Sequence, residues 1–311
     1  MSRIHEALKK AEEERAASRS DRRLEGPTEQ LASQLTTVVA AESDMVVSPT
    51  RLLESSTGAD SALLQFDELR AKCVNSVWNP DPKAQLFHNS NPHAAGAEQF
   101  RTLRSRLYRI RESQPLHILL ISSAIPAEGK TLVSVNLAEA LARQHDCKVL
   151  LIDADLRAPR LREFLGVPRG PGLADYLQGG ATELEVIQRG QEEELFFIQA
   201  GEHISHPAEL ISNGRLKQLL TRMVDLFDWV ILDSPPILPV SDATVLAAMC
   251  DGALLVVRAG STPAEVSQRA CQQMGDARIV GVVLNSVKKS GSSDSYYQYG
   301  YGLNAYGDSP K

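Results

Sequence analysis

From about residue 91 to 290 the chain alternates short, unbroken apolar runs with amphipathic stretches. The runs are HILLIS (117–122), KVLLID (148–153), LFFIQ (195–199), WVILD (229–233), ALLVV (253–257) and IVGVVLN (279–285). A strand that is apolar at almost every position is buried on both faces, as happens when helices cover a parallel sheet on either side. The pattern therefore predicts an α/β fold, a mostly parallel sheet flanked by helices. Phe100, Leu103, Leu107 and Ile110 recur at helical spacing and predict an amphipathic helix, with Glu98, Arg101 and Arg104 off its apolar stripe and free to meet another surface.

The flanks have a different texture. In residues 1–18, Ile4, Leu8 and Ala11 share a helical face and Glu6–Lys10 is a favourable i,i+4 pair, so a short helix is predicted, suited to docking on a partner. Residues 19–90 are rich in Ser, Thr, Asp, Glu and Asn, with turn signals at Asn79-Pro80 and Asp81-Pro82. They read as a linker with little structure. Residues 291–311 are polar and Gly/Ser-rich and read as a flexible tail.

Composition narrows the function classes. The net charge of −6 gives no basic footprint for a nucleic-acid partner. The 4 cysteines (Cys73, Cys147, Cys250, Cys271) have no metal-like spacing and read as free thiols of a reducing compartment. No apolar run approaches the roughly 20 residues of a membrane helix, and MSRIHEALKK is no signal peptide. A cytoplasmic chain is expected, held at the inner face of the membrane only through a partner.

The chemistry begins directly after the first apolar run. A strand over Ile118–Ser123, the loop Ala124-Ile125-Pro126-Ala127-Glu128-Gly129-Lys130-Thr131 and a helix over Thr131–Gln144 follow the order of a phosphate-binding loop. Backbone amides of Ala127, Glu128, Gly129, Lys130, Thr131 and Leu132 would cradle phosphate oxygens at the positive end of the helix. Lys130 would reach the β- and γ-phosphates of ATP, and the Thr131 hydroxyl would bind Mg²⁺. Ala124 replaces the first glycine of the common pattern, and Leu132 stands where a second hydroxyl is frequent. Two further strands end in acid: Asp153 closes KVLLID with Asp155 two residues on, and Asp233 closes WVILD. Carboxylates at the C-terminal ends of parallel strands lie where ligands bind in open α/β sheets, and a buried group of them calls for a cation such as Mg²⁺.

These residues resemble the bacterial tyrosine autokinases of capsule and exopolysaccharide assembly, in their stand-alone form with a deviant Walker-type P-loop. The resemblance rests on the loop at 124–131, DADLR (153–157), LDSPP (232–236), PAEL (207–210), SDA (241–243), GVVLN (281–285) and the E-x-x-R-x-x-R run Glu98–Arg104. It implies transfer of phosphate from Mg-ATP to the tail tyrosines Tyr296, Tyr297, Tyr299, Tyr301 and Tyr306 in trans. Asp153 is then the candidate base and a candidate Mg²⁺ ligand, with Asp155 and Asp233 as further ligands and Asn285 contacting adenine. Arg157 either touches phosphate or pairs with an acid. Glu98, Arg101 and Arg104 would dock neighbouring copies into a ring. A membrane-spanning polysaccharide chain-length (co-polymerase) protein and a tyrosine phosphatase are implied partners, and regulation of polymer assembly or export is the implied role. Two other readings stay open. One is an ATPase switch of the ParA/MinD type, which would need a second lysine where Ile125 stands. The other is an ATP-binding scaffold without transfer.

Overall fold

The computed structural model describes residues 65–82, 86–87, 95–190, 194–202 and 204–287. In chain order they form α1 (Phe66–Lys72), β1 (Val74–Asn75), α2 (Ala95–Ser113), β2 (Ile118–Ser123), α3 (Lys130–Ala142), β3 (Val149–Asp153) and α4 (Leu161–Leu165). There follow α5 (Leu173–Gln178), α6 (Glu183–Val186), β4 (Ile187–Arg189), β5 (Leu195–Ile198), α7 (Pro207–Ile211) and α8 (Arg215–Val224). The chain continues through β6 (Trp229–Asp233), α9 (Asp242–Ala247), β7 (Gly252–Arg258) and α10 (Ala264–Gln273) to β8 (Ile279–Asn285).

The strands make one 8-stranded sheet in the order β1-β4-β5-β3-β6-β2-β7-β8. Every neighbouring pair is parallel except β4 with β5. Side chains alternate between the faces of each strand, and this divides the core in two. Leu120, Leu150, Ile152, Val230 and Leu232 pack with Leu216, Leu219, Leu220 and Met223 of α8. Leu119, Ile121, Leu151 and Ile231 face the other way, onto Val133, Leu137 and Leu141 of α3 and Leu107 of α2. Phe100, Leu103 and Ile110 flank Leu107 there, so the stripe read along α2 is its buried face. The central strands β2, β3 and β6 are buried throughout.

The sheet starts earlier than the composition suggests, and the expected linker over 19–90 is corrected at its C-terminal end. Phe66 packs edge-on against Phe196 and Phe227, with ring centroids 5.5 and 5.8 Å apart, and Leu69 is fully buried. Trp78 lies against Phe197 at 6.2 Å. A few aromatic anchors carry enough apolar area to hold a polar segment on a core, and periodicity does not register them. The N-terminal helix expected over 1–18 and the tail over 291–311 lie outside the described residues.

Candidate active site

The loop between β2 and α3 is held in a tight, partly left-handed path. Ala127 has φ 65° and Gly129 φ 95°. At Gly129 a side chain is excluded twice, by the dihedral and because a Cβ would collide with the Asn285 amide. Val133 N–H makes the first helical bond, to Gly129 O. The amides of Lys130, Thr131 and Leu132 precede any helical acceptor, as the first turn of a helix leaves them. Leu132 contributes backbone alone, its side chain being half-buried and apolar.

Two strand ends bring the acids together. Asp153 and Asp233 are register partners on the adjacent parallel strands β3 and β6, and both are fully buried. Lys130 Nζ donates to Asp155 Oδ2 at 2.9 Å and lies 3.8 Å from Asp233 Oδ2. Thr131 Oγ1 donates to Asp233 Oδ2 at 2.8 Å, and Ser134 Oγ lies 2.9 Å from Asp233 Oδ1. Asp153 accepts from Leu161 N at 3.0 Å and from Asp155 N at 3.3 Å. Lys130, Thr131, Asp153, Asp155 and Asp233 therefore form one cluster. Ser134 belongs to it and was not singled out from the sequence. Its signal was present, since it lies one helical turn beyond Lys130 on the same face.

The electrostatics follow from burial. Asp153 is raised well above the ordinary carboxylate range, first by desolvation and then by the charge of Asp233, against the Leu161 N–H bond. Asp233 is raised by burial, which Lys130 and the two hydroxyl bonds oppose. Burial alone would lower Lys130, but the charges of Asp233 and Asp155 outweigh it and raise its pKa. The ammonium is thus the charge that holds this acidic cluster together.

The Glu128 side chain has a role beside the one the motif gives its backbone amide. Its side chain is 2% exposed and turned into the protein, where Oε2 accepts from Ile125 N at 2.8 Å and Oε1 from Thr262 Oγ1 at 2.6 Å and Arg258 N at 3.3 Å. Arg258 Nη1 donates to Ala127 O at 3.2 Å, and Asn285 Nδ2 to Glu128 O at 2.8 Å. The ends of β7 and β8 therefore clamp the phosphate loop from behind. Asn285, implied by resemblance to touch adenine, spends its amide on that loop and on Ser286 N. No short sequence signal links these positions, which meet only through strand order. Thr262→Val removes one charge-assisted bond at constant shape and should lower folding stability by about 1.5–3 kcal/mol. Thermal unfolding with and without ATP checks this, and an unchanged melting temperature would remove the clamp's energetic basis.

Arg157 pairs with an acid. It makes a two-pronged contact with buried Asp242, Nε to Oδ2 at 2.7 Å and Nη2 to Oδ1 at 3.0 Å, tying the β3–α4 loop to the start of α9. The expectation that Glu98, Arg101 and Arg104 all point outward is corrected at Arg104. Its Nη1 donates to Ala140 O at 2.5 Å, capping the C-terminal end of α3, where a cation is favoured. Glu98 and Arg101 pair with each other on the surface of α2. The tail tyrosines lie outside the described residues.

A family profile described as an AAA domain matches residues 121–261. The chain is 33% identical over 214 residues to the tyrosine-protein kinase YwqD of Bacillus subtilis, covering 68% of this chain and 88% of that protein. It is 38% identical over 209 residues to the tyrosine-protein kinase Etk of Escherichia coli K12, covering 67% of this chain but 29% of that protein. Among solved structures, the kinase domain of the E. coli kinase superposes with a TM-score of 0.61 at 34% identity, covering 70% of this chain and 84% of that one.

Proposed function

The chain belongs to the bacterial tyrosine-protein kinases, and from that premise we propose that it transfers the γ-phosphate of Mg-ATP to tail tyrosines of a neighbouring copy. The observation that carries this reading is the cluster of Lys130, Thr131, Asp153, Asp155 and Asp233 beneath a preformed phosphate loop. It is joined by 5 of the chain's 7 tyrosines standing in the last 16 residues, Tyr296, Tyr297, Tyr299, Tyr301 and Tyr306.

A phenol has a pKa near 10 and needs a base at the moment of attack. Asp153 is the base in this reading: burial and the charge of Asp233 raise its carboxyl above the ordinary range, so it holds a proton more readily than a free carboxylate. The phenolic oxygen forms a bond to the γ-phosphorus as the bond to the bridging oxygen breaks. That electron pair leaves with ADP, and the proton passes to Asp153. Lys130 and the loop amides stabilise the charge on the transferred group, which is most of the catalysis in such reactions.

Hard oxygen donors suit Mg²⁺, and Thr131, Asp153, Asp155 and Asp233 are such donors. Among the described residues no 3 or more His, Cys, Asp or Glu side chains cage a metal unaided. When bound, Mg²⁺ would neutralise charge on the β- and γ-phosphoryl oxygens. A nucleotide that draws the Lys130 ammonium to its phosphates leaves the buried carboxylates free for such an ion.

The wider role rests on the family. Copies assemble into a ring through the Glu98–Arg101 surface, with Arg104 holding that helix in place from within. A membrane-spanning polysaccharide chain-length protein docks the kinase, with residues 1–18 as its contact, and a tyrosine phosphatase resets it. No described helix is long and apolar enough to cross a membrane; in this reading the membrane address comes from that partner. The output is control of exopolysaccharide assembly or export.

Intact mass before and after Mg-ATP tests the reading, with added phosphate expected only in the 291–311 peptide. Each phosphate brings about −1.5 to −2 charges, so repulsion should expel filled tails and loosen the ring. Light scattering should then find a smaller phosphorylated form. Equal sizes for both forms would sink the cycle.

A further inference from the structure

The two edges of the sheet differ. At one, β1 is 2 residues long and offers little ladder to pair with. At the other, β8 runs for 7 residues with β7 on one side only. Edge strands present unpaired N–H and C=O groups, and proteins blunt them with charge, proline, bulges or shortness. β8 carries no charge and no proline. Its irregularity lies near its start, at the register shift beside Ala253 and Leu254, and Gly281–Asn285 then pair regularly with Leu254–Arg258.

The open groups of β8 fall on the same residues. Asn285 faces β7, since its carbonyl accepts from Ala259 N at 2.9 Å. Backbone groups alternate in direction along a strand, so those of Leu284 and Val282 point to the open edge. Their side chains are apolar and bare, 63% and 55% exposed, and Val287 just beyond is exposed too. An apolar strand with its ladder and one face left open is a template for a further strand.

The chain itself supplies that strand. Ser286 takes φ 57° directly after β8, a left-handed turn out of the strand direction, and the run KKSGSSD (288–294) is rich in turn formers. Beyond it Ser295-Tyr296-Tyr297-Gln298-Tyr299-Gly300-Tyr301 alternates, so an extended chain puts Tyr297, Tyr299 and Tyr301 on one side. Tyrosine favours strands, and aromatic residues beside β-branched ones stabilise antiparallel neighbours. The short tether holds this segment at an effective concentration on the order of millimolar, which favours it over a second copy.

We propose that residues 295–301 return antiparallel to β8 and add a strand to its open edge, with Tyr297, Tyr299 and Tyr301 on the side of Leu284 and Val282. Tyrosines held there are withdrawn from a neighbouring copy. That consequence rests on the kinase reading; the pairing itself does not.

Hydrogen exchange on the full chain without nucleotide tests the pairing, read at the Val282 and Leu284 amides. Both should exchange about tenfold or more slowly in the parent than in a chain carrying Tyr297→Ser, Tyr299→Ser and Tyr301→Ser. Leu284→Lys, at an exposed site of the folded domain, should release Val282 likewise. The protection should persist through about a hundredfold dilution, because the contact is intramolecular. Fast exchange in the parent, or slow exchange that the tail variant keeps, would overturn the proposal. Slow exchange lost on dilution would give the edge to a second copy and overturn it as well. Under the kinase reading, Leu284→Lys should also be phosphorylated on its tail faster, by up to about tenfold as the free fraction grows. No transfer by parent or variant would overturn that reading and leave the pairing standing.

Discussion

Lys130→Met should abolish phosphate transfer to residues 291–311, by about 10³-fold or more, while the chain still folds. Catalysis of phosphoryl transfer is mainly positioning and charge stabilisation, and Lys130 is the cation within reach of both Asp155 and Asp233. Methionine matches its length and carries no charge. The substitution also leaves two buried carboxylates without their ammonium. Breaking a fully buried ion pair from one side costs roughly 3–5 kcal/mol. Here the lysine side chain is 13% exposed and the carboxylates can take up protons, so a smaller loss is expected. Mg²⁺ should restore more stability to the variant than it adds to the parent, because a divalent ion replaces the missing charge. Intact mass and thermal unfolding measure the two parts separately. Phosphate on the tail at the parent rate would end the mechanism. A silent parent, even with the cytoplasmic segment of a membrane partner present, would leave an ATP-binding scaffold.

The second large effect is expected from Asp153→Asn, which should remove transfer by about 10²–10⁴-fold and yet stabilise the protein. The Asp153 carboxyl is raised in the folded state by burial and by Asp233. A raised carboxyl contributes its full stability below the ordinary carboxylate range, where it is protonated in both states. That contribution is lost as pH rises through the folded-state value, since the unfolded chain then ionises more readily. Above that folded-state value the ionised group is a burden. Asparagine keeps the shape and an oxygen for the Leu161 amide, and removes the repulsion. A gain of about 1 kcal/mol, near 2–4 °C in melting temperature for a domain of this size, should appear at pH 7–8 and vanish near pH 4. The parent's transfer rate should fall as pH drops through the raised value, because only the ionised carboxyl accepts the phenol's proton. A variant that loses activity together with stability at pH 8 would show Asp153 to be a structural brace.

Much of this architecture was legible locally. All six apolar runs read as strands are strands. A run buried on both faces has a period of its own, and a phosphate loop is contiguous, so neither needs long-range information. The stripe on α2 was equally readable, since one helix face carries it. Reading failed where the partner of a residue lies elsewhere in the chain. Arg104 looked free on a helical wheel, but the wheel cannot show the carbonyl end of α3 beneath it. Glu128 sits inside the motif, and motif reading assigned only its backbone amide to phosphate. Its carboxylate serves Arg258 at the end of β7 and Thr262 beyond it, which come within reach because β7 is the neighbour of β2.

The sequence by itself determined the inventory: which segments are strands, where the phosphate loop lies, which acids end which strand, and that tyrosines crowd the tail. Each of these is written in spacing along the chain. Only the tertiary structure decided the meetings. Asp153 faces Asp233 because β3 and β6 pair in register. α1 and β1 join the sheet because Phe66 finds Phe196 and Phe227. Strand order and packing settle such contacts through the burial free energy of the whole core, a sum over distant residues that local period does not carry.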